Sequence, residues 1–229
     1  MIEKTLKTTT GKLLVKLPDH LSEITLGQMI ALQEKKEMTD IDAISILSGI
    51  PVAHLANVKD ASDLLAFSDS ILLLSQQITQ LYNSDALPKE ITILSGKVKV
   101  ISNLSIEPAG AFMAAREIIA EEISQCIKIY GEENWQNYFN PSLKACSQLL
   151  AHYFYCRVTG KPYNDYEAEA FTSEIKKLRV TEALPIAKHF FTCYPSLSKQ
   201  KISFWHRLQQ LWRKRQASVL SKSLSTSIR

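Results

Sequence analysis

The stretch LPDHLSEITLGQMIALQE, residues 17–34, constrains the fold most, because it carries complete signals for a helix that follows a strand. Thr25 and Gln28 have the spacing of a capping box, in which the hydroxyl accepts the Gln28 amide and the Gln28 side chain reaches back to the cap. A helix is therefore predicted from about Leu26 to Lys36. None of the residues in this stretch is chemically reactive, which favours a scaffold role.

Two β-hairpins are predicted, each followed by a helix. The segments IEKTLK and KLLVKL flank the turn TTTG within residues 2–17, and ITIL and KVKVI flank the turn SGK after residue 90. The stretches that begin at Gly11 and Gly96 both run from a hairpin strand through a polar loop into a helix. This similarity raises the hypothesis of a duplicated hairpin–helix module, although two such units also arise independently.

Caps and apolar spacing predict helices over most of the remaining chain. These helices are expected at about 41–47, from Asp60 or Ser62 to about Tyr82, from Pro108 to Ile129, from Asn140 to Arg157, from Asn164 or Asp165 to Leu178, from Thr181 to Pro195, and from Lys199 to Ser221. Pro185 is expected in the first turn of its helix, where a missing amide is tolerated. The predicted fold class is mostly α and helical bundle-like, with two small β-hairpins that each precede a helix.

Three segments are predicted along the chain: a hairpin plus helices in an N-terminal module (1–85), a second hairpin plus helical module (86–198), and a basic amphipathic tail helix with a mobile C-terminus (199–229). The tail contains eight Lys and Arg and no Asp or Glu. Because the whole chain has 27 basic and 23 acidic residues, residues 1–198 carry 19 and 23, a net charge of −4. The basic character of the chain therefore belongs to the tail.

The tail segment KQKISFWHRLQQLWRKRQ, residues 199–216, has the pattern of a basic amphipathic helix. Such a helix suits a groove on a protein partner, an anionic membrane surface or nucleic acid. Packing of its aromatic stripe on the protein's own core is the alternative. The predicted partner-binding residues are Ile202, Phe204, Trp205, Arg207, Leu208, Trp212, Arg213, Lys214 and Arg215.

Two similar motifs, His152-Tyr-Phe-Tyr-Cys156 and His189-Phe-Phe-Thr-Cys193, are the clearest candidates for chemistry. On a helix, residues four apart share a face, so two packed helices would offer two imidazoles and two thiolates to zinc. Burial of cysteine as a small apolar side chain among aromatic residues explains the same pattern. No metal site and no cofactor are therefore predicted, and metal binding by the two motifs stays an open alternative.

The composition favours a non-enzymatic globular protein with reduced cysteines. No apolar run approaches the roughly 20 residues that span a bilayer, and no secretory signal is expected. The cysteines lie in apolar segments without the spacing of a disulfide framework. The sequence shows no phosphate-binding loop, dinucleotide-binding motif or metalloprotease motif, so catalysis is not predicted.

The pattern of the N-terminal module resembles that of tailed-phage morphogenesis proteins, namely tail and baseplate assembly chaperone-like proteins and related phage structural proteins. The matching residues are Leu17, Pro18, Glu23, Ile24, Thr25, Leu26, Gly27 and Gln28, then Ile46, Leu47, Ser48, Gly49, Ile50 and Pro51. The resemblance covers about residues 13–75 and carries over no catalytic site.

The resemblance implies a role in building the phage particle, in the host cytoplasm during assembly or in the virion. As a chaperone, the protein would hold an aggregation-prone partner such as a tape-measure or baseplate hub protein. As a virion component, it would form a homo-oligomeric ring at the connector, tail or baseplate. A third hypothesis, a nucleic-acid-binding accessory role, depends on the basic tail alone.

Overall fold

The structure is a computed structural model that describes residues 1–35, 37–60, 62–78, 87–103 and 106–193. This part of the chain is 59% helical with two small antiparallel two-stranded sheets, which confirms the predicted mostly α fold with β-hairpins. The strands are β1 (Ile2–Thr8), β2 (Gly11–Leu17), β3 (Glu90–Ile93) and β4 (Gly96–Lys99). The helices are α1 (Leu26–Glu34), α2 (Asp40–Ser48), α3 (Val52–Leu55), α4 (Ser62–Leu65), α5 (Ser68–Ile78), α6 (Ala109–Tyr130), α7 (Trp135–Tyr138), α8 (Leu143–Thr159), α9 (Asp165–Ala170), α10 (Thr172–Ile175) and α11 (Val180–Cys193).

Helix α1 begins at the predicted capping box. Thr25 Oγ1 accepts the Gln28 amide at 3.2 Å, and Gln28 Oε1 accepts the Thr25 amide at 2.9 Å. Gln28 Nε2 also donates to the carbonyl of Leu47 at 2.9 Å. The Gln28 side chain therefore caps the start of α1 and also binds the C-terminal end of α2. These two contacts fix the angle between the helices. Gly49 ends α2 in the left-handed region at φ 72°, as predicted.

The start of α1 is paired with a segment far along the chain. Three backbone hydrogen bonds join the two segments: Leu26 N to Leu178 O at 2.8 Å, Gly27 N to Lys176 O at 2.8 Å, and Val180 N to Ile24 O at 2.9 Å. A Cβ atom on Gly27 would lie 3.0 Å from the Lys176 carbonyl oxygen. Glycine at this position therefore permits the close approach of the two backbones.

Helix α8 lies at the centre of the helical packing, and α1, α6, α9, α10 and α11 all contact it. From Leu149 to Tyr155, every side chain of α8 is buried, as expected of a helix enclosed by others. The core cluster draws on both predicted modules, with Leu17 and Met29 from the first and Ile119 and Phe190 from the second. The predicted boundary between residues 85 and 86 lies outside the described residues, and the division into domains stays a prediction.

Two long helices predicted from the sequence are each broken in the structure. Between Asp60 and Ile78, the described part of the first predicted helix forms α4 and α5, which are separated at the fully buried Phe67. The segment from Asn164 to Leu178 forms α9 and α10 and then leaves helical geometry, because its last carbonyl groups accept from the start of α1. Both breaks serve contacts that helical periodicity does not encode.

Two helix starts differ from the prediction. Ser142, not Asn140, caps α8, and its hydroxyl accepts the Ala145 amide at 3.1 Å. Helix α11 begins at Val180, one residue before the predicted cap, because the preceding Arg179 forms a β-bridge with Thr25. Pro185 consequently lies in the second turn of α11, where it removes a helical hydrogen bond.

The turn of the second hairpin lies one residue earlier than predicted. Leu94 and Ser95 form a two-residue loop with φ values of 49° and 65°. This register buries Ile91 and Ile93 in the core. A shift by one residue would turn both side chains to solvent, so burial of β3 decides the register against the turn preference.

The two hairpin–helix junctions share their order of elements but not their capping. Pro108 precedes α6 without a side-chain cap, whereas Thr25 caps α1 through its hydroxyl. The duplication of a hairpin–helix module stays a hypothesis. Among the helices of the described ranges, none has the length and apolar character needed to cross a membrane.

Candidate protein-interaction surface

The predicted tail site lies outside the described residues. It comprises Ile202, Phe204, Trp205, Arg207, Leu208, Trp212, Arg213, Lys214 and Arg215. The tail site therefore stays a prediction, and the geometry of candidate surfaces comes from residues 1–193.

The outer side of α4 and α5 presents three exposed leucines, which we call the leucine face: Leu65, Leu72 and Leu73. Their exposed fractions are 63%, 59% and 56%. Leu65 lies at the end of α4, and Leu72 and Leu73 lie next to each other in α5. In the sequence, Leu65 belongs to a broad apolar stripe of the helix predicted from Asp60 or Ser62 to Tyr82. In the structure, Leu65 is exposed, whereas Phe67 and Leu74 of the same stripe are buried.

The opposite side of α4 and α5 anchors the leucine face to the core. Phe67 and Leu74 are buried, and the Leu21 amide donates to Gln77 Oε1 at 3.2 Å. The break between the two helices allows Phe67 to enter the core while Leu65 remains outside. Exposed large apolar side chains grouped on a rigid element are typical of a protein-binding surface.

A second apolar surface lies at the C-terminal end of α6, and we call it the tyrosine patch: Ile129, Tyr130 and Tyr138. The rings of Tyr130 and Tyr138 are stacked with centroids 4.7 Å apart and an angle of 13° between planes. Ile129 is 73% exposed. The sequence analysis missed this patch, although the motif IKIY at the end of a long helix was visible.

The two His/Cys motifs occupy different environments in α8 and α11. His152 is largely buried, and its Nδ1 lies 2.9 Å from the Tyr163 hydroxyl. His189 Nε2 lies 3.2 Å from the Ser102 carbonyl oxygen, and the exposed Cys193 lies 3.5 Å from the same imidazole. Within the part of the chain that the structure describes, no group of three His, Cys, Asp or Glu residues is placed to hold a metal.

The buried thiols are held in the protonated form. Complete burial raises the pKa of Cys146 far above its usual value, and burial also raises the pKa of Cys126 and Cys156. A nucleophilic cysteine needs the opposite shift, toward the thiolate. These three cysteines therefore behave as small apolar side chains.

A polar chain joins α8 to the loop before α9. The Tyr163 hydroxyl donates a hydrogen bond to Asp165 Oδ1 at 2.8 Å, so its oxygen accepts a hydrogen bond from His152 Nδ1 on its other side. Burial lowers the pKa of His152, and this effect is larger than the opposite effect of the nearby Asp165 and Glu169 carboxylates. Burial and the Asp165 carboxylate both raise the pKa of Tyr163. His152 and Tyr163 are therefore both neutral at pH 7, and their hydrogen bonds hold the loop against α8.

A second polar cluster fastens the segment after β4 to α8. The Tyr153 hydroxyl contacts both backbone groups of Ile101 at 2.6 Å. Arg157 donates from Nε to the buried Glu107 at 2.8 Å, and its guanidinium lies 5.1 Å from the centroid of the Tyr153 ring. These contacts position the backbone that leads into α6, which carries Ile129 and Tyr130 of the tyrosine patch.

Comparison of the chain with known proteins gives no relative from which a role is transferred. No protein-family model matches the chain, and no curated protein or solved structure matches it significantly.

Proposed function

We propose that this protein is a non-enzymatic phage morphogenesis protein that acts through protein–protein contacts, as an assembly chaperone of the tail or baseplate. The observation that carries the proposal is the leucine face, where Leu65 and Leu73 expose apolar side chains on a well-anchored helical pair. The resemblance of residues 13–75 to tail and baseplate assembly proteins supports the phage context.

The leucine face suits an apolar segment of a partner. Exposed leucines on neighbouring helices offer apolar contacts to the apolar side of an amphipathic helix from a partner. A tape-measure or hub protein before assembly exposes such segments, and a chaperone that covers them prevents aggregation. The low local charge of this face, with Asp69 as its exposed charged residue between Leu65 and Leu73, favours an apolar contact over a phosphate contact.

The leucine face is tested with Leu65→Ser/Leu73→Ser in the full chain, co-expressed with each tail and baseplate protein in turn. Size-exclusion chromatography with light scattering is expected to show a stable complex for the wild type and its loss for the double variant. Leu14→Ser is the matched control, because Leu14 is also an exposed leucine, at 50%, and it lies on β2 rather than on α4 or α5. An equally stable complex in the double variant would contradict the proposed surface.

Mass spectrometry of purified particles separates the chaperone from the virion component. A chaperone is expected in infected-cell lysate and missing from particles. Many copies of this protein per particle would contradict the chaperone role and support the alternative, a structural ring at the connector, tail or baseplate.

A further inference from the structure

The tyrosine patch is the exposed aromatic surface that lies where α11 ends. Phe139, which directly follows Tyr138, has its ring centroid 5.9 Å from that of Phe191. Phe191 lies two residues before Cys193, the last residue of α11. The backbone therefore leaves α11 beside the element that carries Tyr138.

The start of the tail is within reach of this patch. Five residues lie between Cys193 and Lys199, and the extended chain that joins the two spans at most roughly 20 Å. A segment that begins at Lys199 is therefore tethered next to the tyrosine patch at a high effective concentration.

The acidic residues beside the tyrosine patch are opposite in charge to the basic tail. Glu132 and Glu133 are exposed between α6 and α7, and neither makes an ion pair within the described ranges. The tail has eight Lys and Arg and no acidic residue. Lys128 is the one basic residue between 128 and 138, so this segment carries a net negative charge.

We propose that the tail segment, residues 199–216 of the tail, docks on the tyrosine patch of its own chain. At helical spacing, Ile202, Trp205, Leu208 and Trp212 form one stripe that covers the tyrosine rings and Ile129. Aromatic rings in edge or offset contact gain energy beyond their buried area. Arg207 and the basic run at 213–215 then lie near Glu132 and Glu133. This docking is independent of the phage role and of the leucine face.

Limited trypsin digestion of the full chain tests the docking, because the tail offers cleavage sites at Lys199, Lys201, Arg207 and residues 213–215. Tyr130→Ser/Tyr138→Ser is expected to raise the cleavage rate of the tail about tenfold, as the loss of two aromatic contacts predicts. Glu132→Lys/Glu133→Lys, which changes only exposed side chains, is expected to raise it by a smaller factor that disappears at high salt. Leu65→Ser/Leu73→Ser is the control and leaves the rate unchanged.

Two results would overturn the docking. One is a wild-type tail that is cleaved as fast as a synthetic peptide of residues 199–216, with no change in either patch variant. The other is protection that rises with protein concentration, which would place the tail on a second copy of the chain. Far-ultraviolet circular dichroism of each variant verifies that the helical fold is retained.

Discussion

The hydroxyl group of Tyr153 satisfies both backbone groups of Ile101, since it accepts from the amide and donates to the carbonyl, each at 2.6 Å. A side chain of α8 thus replaces a strand partner for the chain that leaves β4. Removing the hydroxyl leaves two backbone groups without this partner, and unsatisfied part-buried groups cost more than the bond itself contributes.

Tyr153→Phe is therefore expected to lower the free energy of unfolding by about 2 kcal/mol. Chemical denaturation measures the loss, and hydrogen exchange is expected to accelerate at Ile101. Tyr155→Phe is the matched control, because its hydroxyl binds Glu167, whose carboxylate is half exposed and regains water. Equal losses in the two variants would contradict a special role for the Tyr153–Ile101 contact.

Gly27→Ala is expected to destabilise the protein by about 1–3 kcal/mol, because the added Cβ meets the Lys176 backbone at 3.0 Å. Thermal unfolding monitors the change. Gly96→Ala is the control, since its Cβ would meet the nearest atom at 3.5 Å, an ordinary contact, and its φ is not positive. A Gly27→Ala protein as stable as the control would show that the two backbones separate at no cost.

Leu94→Asn/Ser95→Gly is expected to stabilise the second hairpin by about 1 kcal/mol. Both residues have positive φ, a conformation that Asn and Gly adopt with less strain than Leu and Ser. The replacement also removes an exposed leucine. A higher midpoint of chemical denaturation is the expected result, and a lower midpoint would mean that Leu94 contributes more through contact than its backbone costs.

Stability is expected to fall as the pH drops from 7 to 5 because of His152. Burial lowers the pKa of this imidazole in the folded state, although Asp165 and Glu169 oppose the shift. The unfolded imidazole, with a pKa of about 6.5, therefore takes up a proton before the folded one does, and acidification favours unfolding. Chemical denaturation at a series of pH values gives the free energy of unfolding as a function of pH. We expect this free energy to depend less steeply on pH in His152→Gln than in the wild type. An equally steep dependence would assign the pH effect to other groups.

Local patterns predicted local structure well. Thr25 with Gln28 and Gly49 each act through neighbours within a few residues, and the structure confirms all three assignments. The hairpin of β1 and β2 was also predictable, because alternation and a turn signal lie in one short segment.

Contacts between distant segments could not be predicted in the same way. Nothing near Gly27 signals that Lys176 approaches it, and nothing near Phe67 signals that the helix breaks there to bury its ring. Leu65 lies in an apolar stripe of the sequence but is exposed, because such a stripe does not reveal which of its residues the core covers. The leucine face consists of apolar residues that the tertiary packing leaves exposed. The spacing of apolar residues in the sequence does not predict which of them will be exposed.

The pairing of Ile24–Gly27 with Lys176–Val180 also sets an order for folding. The N-terminal capping box needs only residues close in sequence, so it forms early at small entropic cost. Its partner segment, residues 176–180, is synthesised only after α6 and α8. The amides of Leu26 and Gly27 therefore meet their acceptors, the carbonyl groups of Leu178 and Lys176, only after most of the chain has been made, which makes this pairing a late step of folding.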